Sequence, residues 1–130
     1  MNHLTPARLI KALDQAGIKN RVLILSACYS GSFVKPLSNE NTMIFTAARA
    51  DRTSFSCSNE REWTFFGDAY FNHALRQERS FVTAYERARD LVEVWEKERG
   101  LTGSEPQMFV GTAIREKVDA LLESRLLRGE

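Results

Sequence analysis

The segment Ser26-Ala27-Cys28-Tyr29-Ser30-Gly31 places a thiol among small residues, directly after the apolar run Val22-Leu23-Ile24-Leu25. In open α/β sheets, ligands sit in the crevice beyond the carboxyl ends of the strands. A cysteine there stands where a nucleophile can meet a substrate. Gly31 allows a sharp turn of the main chain, and the amide of Cys28 is placed to help stabilise an oxyanion. The competing reading is an inert, buried thiol, because free cysteine commonly serves as a small core hydrophobe. Two other chemistries fail on spacing. A phosphate-cradling cysteine loop needs an arginine about six residues after the thiol; Val34 and Trp63 stand there for Cys28 and Cys57. A redox pair needs Cys-x-x-Cys, which neither cysteine has. Cys28 and Cys57 could form one disulfide, but one bridge is no scaffold for a chain of 130 residues. The two cysteines and two histidines, His3 and His73, lack the close spacing of a zinc site, so neither a metal nor another cofactor is expected.

The thiol has to be positioned by the elements around it. Thr5 reads as an N-cap with Pro6 in the first helical position, and Leu9, Ile10, Leu13 and Ala16 form an apolar stripe before Gly17. The nucleophile strand is predicted over 21–28, its continuous apolar run suiting burial on both faces of a parallel sheet. A loop follows from Ser30 to Asn41, then a second strand over Thr42–Ala48. The polar stretch 49–63 is long for a compact domain, which marks it as a candidate functional loop. A helical region spans 64–100: one helix carries Phe66, Ala69, Tyr70, His73 and Ala74. A second is capped by Ser80, with Phe81, Ala84, Tyr85, Ala88, Leu91, Val92 and Trp95 inward. Glu93 pairs with Lys97 on that helix, and Gly100 stops it. A late strand is predicted over 106–111. The C-terminal helix is predicted over 113–127, with Ile114, Val118, Leu121, Leu122 and Leu126 inward. This order defines one α/β domain with three buried parallel strands. So narrow a sheet leaves an apolar edge at Val22–Leu25 that would normally be covered.

Composition sets outer limits. With 43% hydrophobic and 27% charged residues the chain is of ordinary globular type. The net charge of +1 comes from 18 basic and 17 acidic residues without runs of one sign, so no nucleic-acid partner is indicated. No stretch approaches the roughly 18 consecutive apolar residues of a membrane span. Met1–Asp14 lacks a signal-peptide pattern, which reads as soluble, and the cellular compartment stays open between cytoplasm and periplasm. A small-molecule-binding α/β domain would want a phosphate loop, and the glycines are not so arranged.

Four blocks carry a family resemblance. LILSACYSGSF resembles the nucleophile strand of legumain-family cysteine peptidases, especially their bacterial relatives, and more distantly the Q-A-C-x-G signature of caspases. TAARADRTSFSC resembles the next strand and its specificity loop, TFFGDAY the start of the following helix, and PQMFVG a late strand of the catalytic domain. The blocks occur in the family's order across most of residues 5–111. The resemblance implies a caspase-like, mostly parallel sheet flanked by helices, and a peptide or protein substrate. It implies that Cys28 is the nucleophile, forming a thioester, with its backbone amide at the oxyanion. Ser26 stands where legumains carry an acidic pocket residue, which argues against strict asparagine specificity. Ser54 matches a pocket-lining serine. Asp68 matches an acidic pocket residue, though a first-turn carboxylate is also what a helix dipole favours.

The general base departs from the family pattern. A thiol needs a histidine to form thiolate readily near neutral pH, and caspases place it about 50 residues upstream. The family's His-Gly pair falls at a similar distance, which would precede Met1. His3 is not followed by glycine and lies too near in sequence, and His73 lies mid-helix. The expectation is therefore a fold incomplete at its N-terminal side, inactive or nearly so in peptide hydrolysis. The bare edge would pair with another copy as a homo-oligomer. The alternative is a non-catalytic pseudo-peptidase, or a module for oligomerisation or interaction.

Overall fold

The computed structural model describes residues 3–55 and 62–129. Helix α1 (Pro6–Gln15) begins where Thr5 Oγ1 accepts the amide of Arg8 at 3.2 Å. It ends at Gly17, whose φ of 72° is the left-handed stop that glycine adopts without a Cβ penalty. Arg21, 8% exposed, reaches back to Asp14 at 2.5 Å and to the Ile18 carbonyl at 2.6 Å, fixing α1 against the start of β1 (Arg21–Leu25). A 3₁₀ turn (Ser30–Phe33) and the short helix α2 (Val34–Leu37) then occupy the stretch expected to be a loop. Strand β2 (Thr42–Thr46) is buried at every position.

α3 (Phe65–Gly67), a π-helical stretch (Asp68–Ala74) and α4 (Leu75–Gln77) run on without a break. α5 (Phe81–Glu98) starts at Ser80, whose hydroxyl accepts the Thr83 amide, and Gly100 follows it with a φ of 64°. Its Glu93–Lys97 pair closes at 2.8 Å. After β3 (Gln107–Val110) comes α6 (Thr112–Leu127).

The sheet order is β1-β2-β3. β1 and β2 are parallel, with Leu23 opposite Ile44 and Leu25 opposite Thr46. β3 corrects the expectation of three parallel strands: it runs antiparallel to β2, with Gln107 opposite Thr46. The reason lies just upstream of it. The Arg49 amide bonds the Ser104 carbonyl at 2.9 Å, so the chain enters β3 at the rim where β2 leaves the sheet. Strand ends differ modestly from the expected 21–28, 42–48 and 106–111, and β1 and β3 are only half-buried because each pairs on one side.

The core gathers on the face of β2 that meets α3, the π-helical stretch and α5. Phe45 is fully buried between Tyr70 (ring centroids 5.9 Å) and Tyr85 (5.5 Å), and Phe66 stacks on Tyr70 at 5.6 Å. Two inward assignments fail. Leu121 and Leu126 of α6 are 58% and 57% exposed, because α6 packs on the core through Ile114 and Val118 and then passes beyond the sheet. In α1, Leu9, Ile10 and Leu13 are half-buried and Ala16 is exposed.

The two core tyrosines keep partners: Tyr70 Oη donates to the Phe81 carbonyl at 3.1 Å and Tyr85 Oη to the Pro106 carbonyl at 2.8 Å. Burial opposes the phenolate, raising Tyr70 strongly and pushing Tyr85 up to about 12. A folded pKa above the unfolded value of about 10 contributes stability that is complete below pH 10 and lost as pH rises toward 12. The urea midpoint is therefore expected to hold to about pH 10 and fall steeply above it, the Tyr85 share being on the order of 2 kcal/mol. In Tyr85→Phe that fall should be shallower. An equal fall in the variant would remove Tyr85 from the account.

Candidate active site

The parallel register of β1 and β2 brings their carboxyl ends to one rim, where Ala47 donates its amide to the Leu25 carbonyl at 2.9 Å. β1 stops at Leu25, so Cys28 lies three residues past the strand, in the turn rather than in the strand itself. The Ser30 amide closes that turn on the Ala27 carbonyl at 3.3 Å, and Tyr29 takes a left-handed φ of 58°. A tyrosine is strained in this region, and such strain persists only where neighbours hold it. The Tyr29 amide is held by the Arg52 carbonyl at 2.8 Å.

Gly31 permits the close approach of the two loops. A Cβ there would stand 2.5 Å from the Ala50 nitrogen and 2.8 Å from the Ala48 oxygen.

The sulfur of Cys28 is a free, half-buried thiol. It donates to the Ser54 carbonyl at 3.3 Å and accepts from the Ser54 amide at 3.2 Å. The contacts that hold it are thus polar main-chain groups. Ser54 is 6% exposed, and the structure joins it to Cys28 through its backbone. Cys57 lies outside the described residues, as does the 56–61 part of the predicted loop 49–63.

Ser26 belongs to a second group. Its hydroxyl lies 2.6 Å from Thr64 Oγ1, the same oxygen that caps α3 by accepting the Gly67 amide at 3.0 Å. A Cβ on Gly67 would stand 3.3 Å from Ser26 Oγ, so the start of α3 rests directly on the exit of β1. Asp68 follows in the first turn, but its carboxylate faces its own helix: Asn72 donates to it at 2.9 Å and His73 Nε2 lies 3.9 Å away. The structure thus joins Cys28 to Ser54 and Ser26 to Thr64, and gives Asp68 partners on its own helix. Thr64 was not singled out from sequence for the site; its capping position was the available signal.

His73 is half-exposed and sets its ring edge-on to Trp95 at 5.7 Å. The carbonyl of His3 accepts from Arg8 at 3.0 Å. No hydrogen bond among the described residues joins an imidazole to Cys28.

Along the loop after β2 the charges are dense. Arg49 forks onto Asp51 at 2.5 and 3.0 Å and reaches Glu105 at 2.6 Å, while Arg52 lies 3.9 Å from the same Glu105 oxygen. The Arg49 bond holds the Asp51 carboxyl below the usual carboxylate range, and Asp51 raises Arg49 in return.

A helix-flanked mixed sheet with a free thiol just beyond its first strand is consistent with part of a caspase-like domain. Residues 1–116 match the model of the Peptidase C13 family, and the chain belongs to that family, the legumain-type cysteine peptidases. Cysteine peptidase activity is therefore its general class. Comparison with curated proteins gives no match.

Proposed function

We propose that this chain carries the nucleophile of a thiol-dependent endopeptidase, with Cys28 attacking the substrate carbonyl. The Cys28 sulfur bonds to the carbonyl carbon, the amine departs with a proton to leave a thioester, and water then releases the acid and restores the thiol. The backbone amide of Cys28 supports the oxyanion. Ser26, Ser54 and Asp68 line the pocket for the residue before the cleaved bond, and Ser26 relaxes the demand for asparagine. The observation that carries this reading is the half-buried sulfur beyond β1, seated on main-chain polar groups.

Iodoacetamide followed by peptide mapping is expected to label Cys28 faster than Cys57, and Cys28→Ala to abolish that product. Equal or reversed labelling would sink the assignment.

A second reading is favoured by His73, whose Nε2 stands 3.9 Å from Asp68, and by the fact that no imidazole among the described residues is hydrogen-bonded to the sulfur. On that reading, residues 1–130 act as a weakly hydrolytic or non-catalytic interaction module. The outer side of β1 carries no strand among the described residues, so two copies are proposed to associate there. Scattering of a monomer at high concentration would remove that part of the proposal.

A further inference from the structure

The turn before β3 is anchored at every residue from Ser104 to Pro106. Glu96, buried at 3% exposure near the end of α5, accepts the Ser104 amide on both carboxylate oxygens at 3.1 and 3.0 Å and also the Ser104 hydroxyl. Tyr85 holds the Pro106 carbonyl. Between these anchors Glu105 is forced to a φ of 53°, a region where a glutamate is strained and a glycine or asparagine is not. Sequences keep such strain where the side chain is needed in that place.

The Glu105 carboxylate takes Arg49 at 2.6 Å and stands 3.9 Å from Arg52. The main chain of these arginines reaches the thiol. The Arg49 amide bonds the Ser104 carbonyl, Arg52 returns its amide to the Arg49 carbonyl at 3.0 Å, and the Arg52 carbonyl holds the strained Tyr29 amide beside Cys28. Ser54, two residues after Arg52, supplies both main-chain partners of the sulfur.

We propose that Glu105 is a positioning residue for the thiol, acting through Arg49 and Arg52 to fix the loop that holds Tyr29 and Ser54 against Cys28. This deepens the peptidase reading and rests on Cys28 as its nucleophile. Individually, exposed ion pairs contribute little. Here one carboxylate stands between two arginines, and the buried Glu96–Ser104 pair fixes the main chain just before it.

The strain at Glu105 supplies the test. If the residue matters only for the shape of the turn, Glu105→Gly should be harmless or stabilising, since glycine accepts the left-handed conformation. If its carboxylate positions the loop, Glu105→Gly should keep or raise the melting temperature and still loosen the loop. Amide exchange at Tyr29 and Ser54, read by NMR, is expected to rise about tenfold, the scale of one net hydrogen bond. Iodoacetamide alkylation of Cys28 at pH 7 is expected to change at least about twofold, as both main-chain contacts of Ser54 to the sulfur loosen.

Exchange and alkylation both within about twofold of the parent would overturn the inference. Glu105→Asn, which also tolerates this backbone, repeats the test should the glycine variant fail to fold. Failure of both to fold would overturn it too, making the turn a folding element. If Cys28 is not preferentially labelled in the parent, the peptidase reading fails, while the amide exchange still decides whether Glu105 holds the loop.

Discussion

Phe45→Ala should lower the unfolding free energy by about 3–5 kcal/mol, the largest loss expected of any single substitution in the core. The ring is fully buried on the middle strand, in contact with Tyr70 and Tyr85. Truncating such a ring costs about 3–5 kcal/mol through lost transfer free energy and the cavity left behind. Total stabilities of domains this size run about 5–15 kcal/mol, so the loss takes a large share of what holds the fold. Urea denaturation followed by tryptophan fluorescence measures it directly. Phe45→Leu, which refills part of the space, should cost less. A loss below about 1.5 kcal/mol for the alanine variant would mean that the face of β2 is not the closed core described above.

Gly31→Ala is expected to destabilise by about 2–3 kcal/mol and to disturb the thiol as well. The new methyl would stand 2.5 Å from the Ala50 nitrogen, 2.8 Å from the Ala48 oxygen and 2.8 Å from the Arg49 carbon, all main-chain atoms with no rotamer to yield. The only relief is to push the loop after β2 away from the loop after β1, which is the contact that seats Cys28 on Ser54. Gly17→Ala is the control. It meets nothing within 4 Å, and its cost of roughly 1 kcal/mol comes from its positive φ alone. Cys28 alkylation should change in Gly31→Ala and not in Gly17→Ala. A Gly31→Ala variant as stable as the parent would show that the two loops do not pack this closely.

Local chemistry was readable from sequence and long-range chemistry was not. The caps at Thr5 and Ser80 and the stops at Gly17 and Gly100 follow from hydroxyl acceptors and left-handed glycines acting within one turn, and they stand where they were expected. The apolar run of β1 and the thiol just beyond it were equally plain. The direction of β3 was not, because it depends on a bond between Arg49 and Ser104, far apart in the chain. Nor was the pairing of Ser26 with Thr64, for the same reason. Periodicity found an apolar stripe on α6, but whether a stripe is covered depends on what lies opposite, and Leu121 and Leu126 face solvent. The π-helical stretch that carries Asp68 leaves no mark in the hydrophobic pattern, and it directs the carboxylate toward Asn72 and His73.

The reversed direction of β3 has a consequence in time. Because β3 enters the sheet at the rim where β1 and β2 leave it, the neighbourhood of Cys28 is completed by a turn made late in translation. At about 5–20 residues per second, the ribosome finishes Cys28 on the order of ten seconds before it reaches Glu105. For that interval Arg49 has no Ser104 to pair with, so the loop beside Cys28 can close only once the end of the domain has been synthesised.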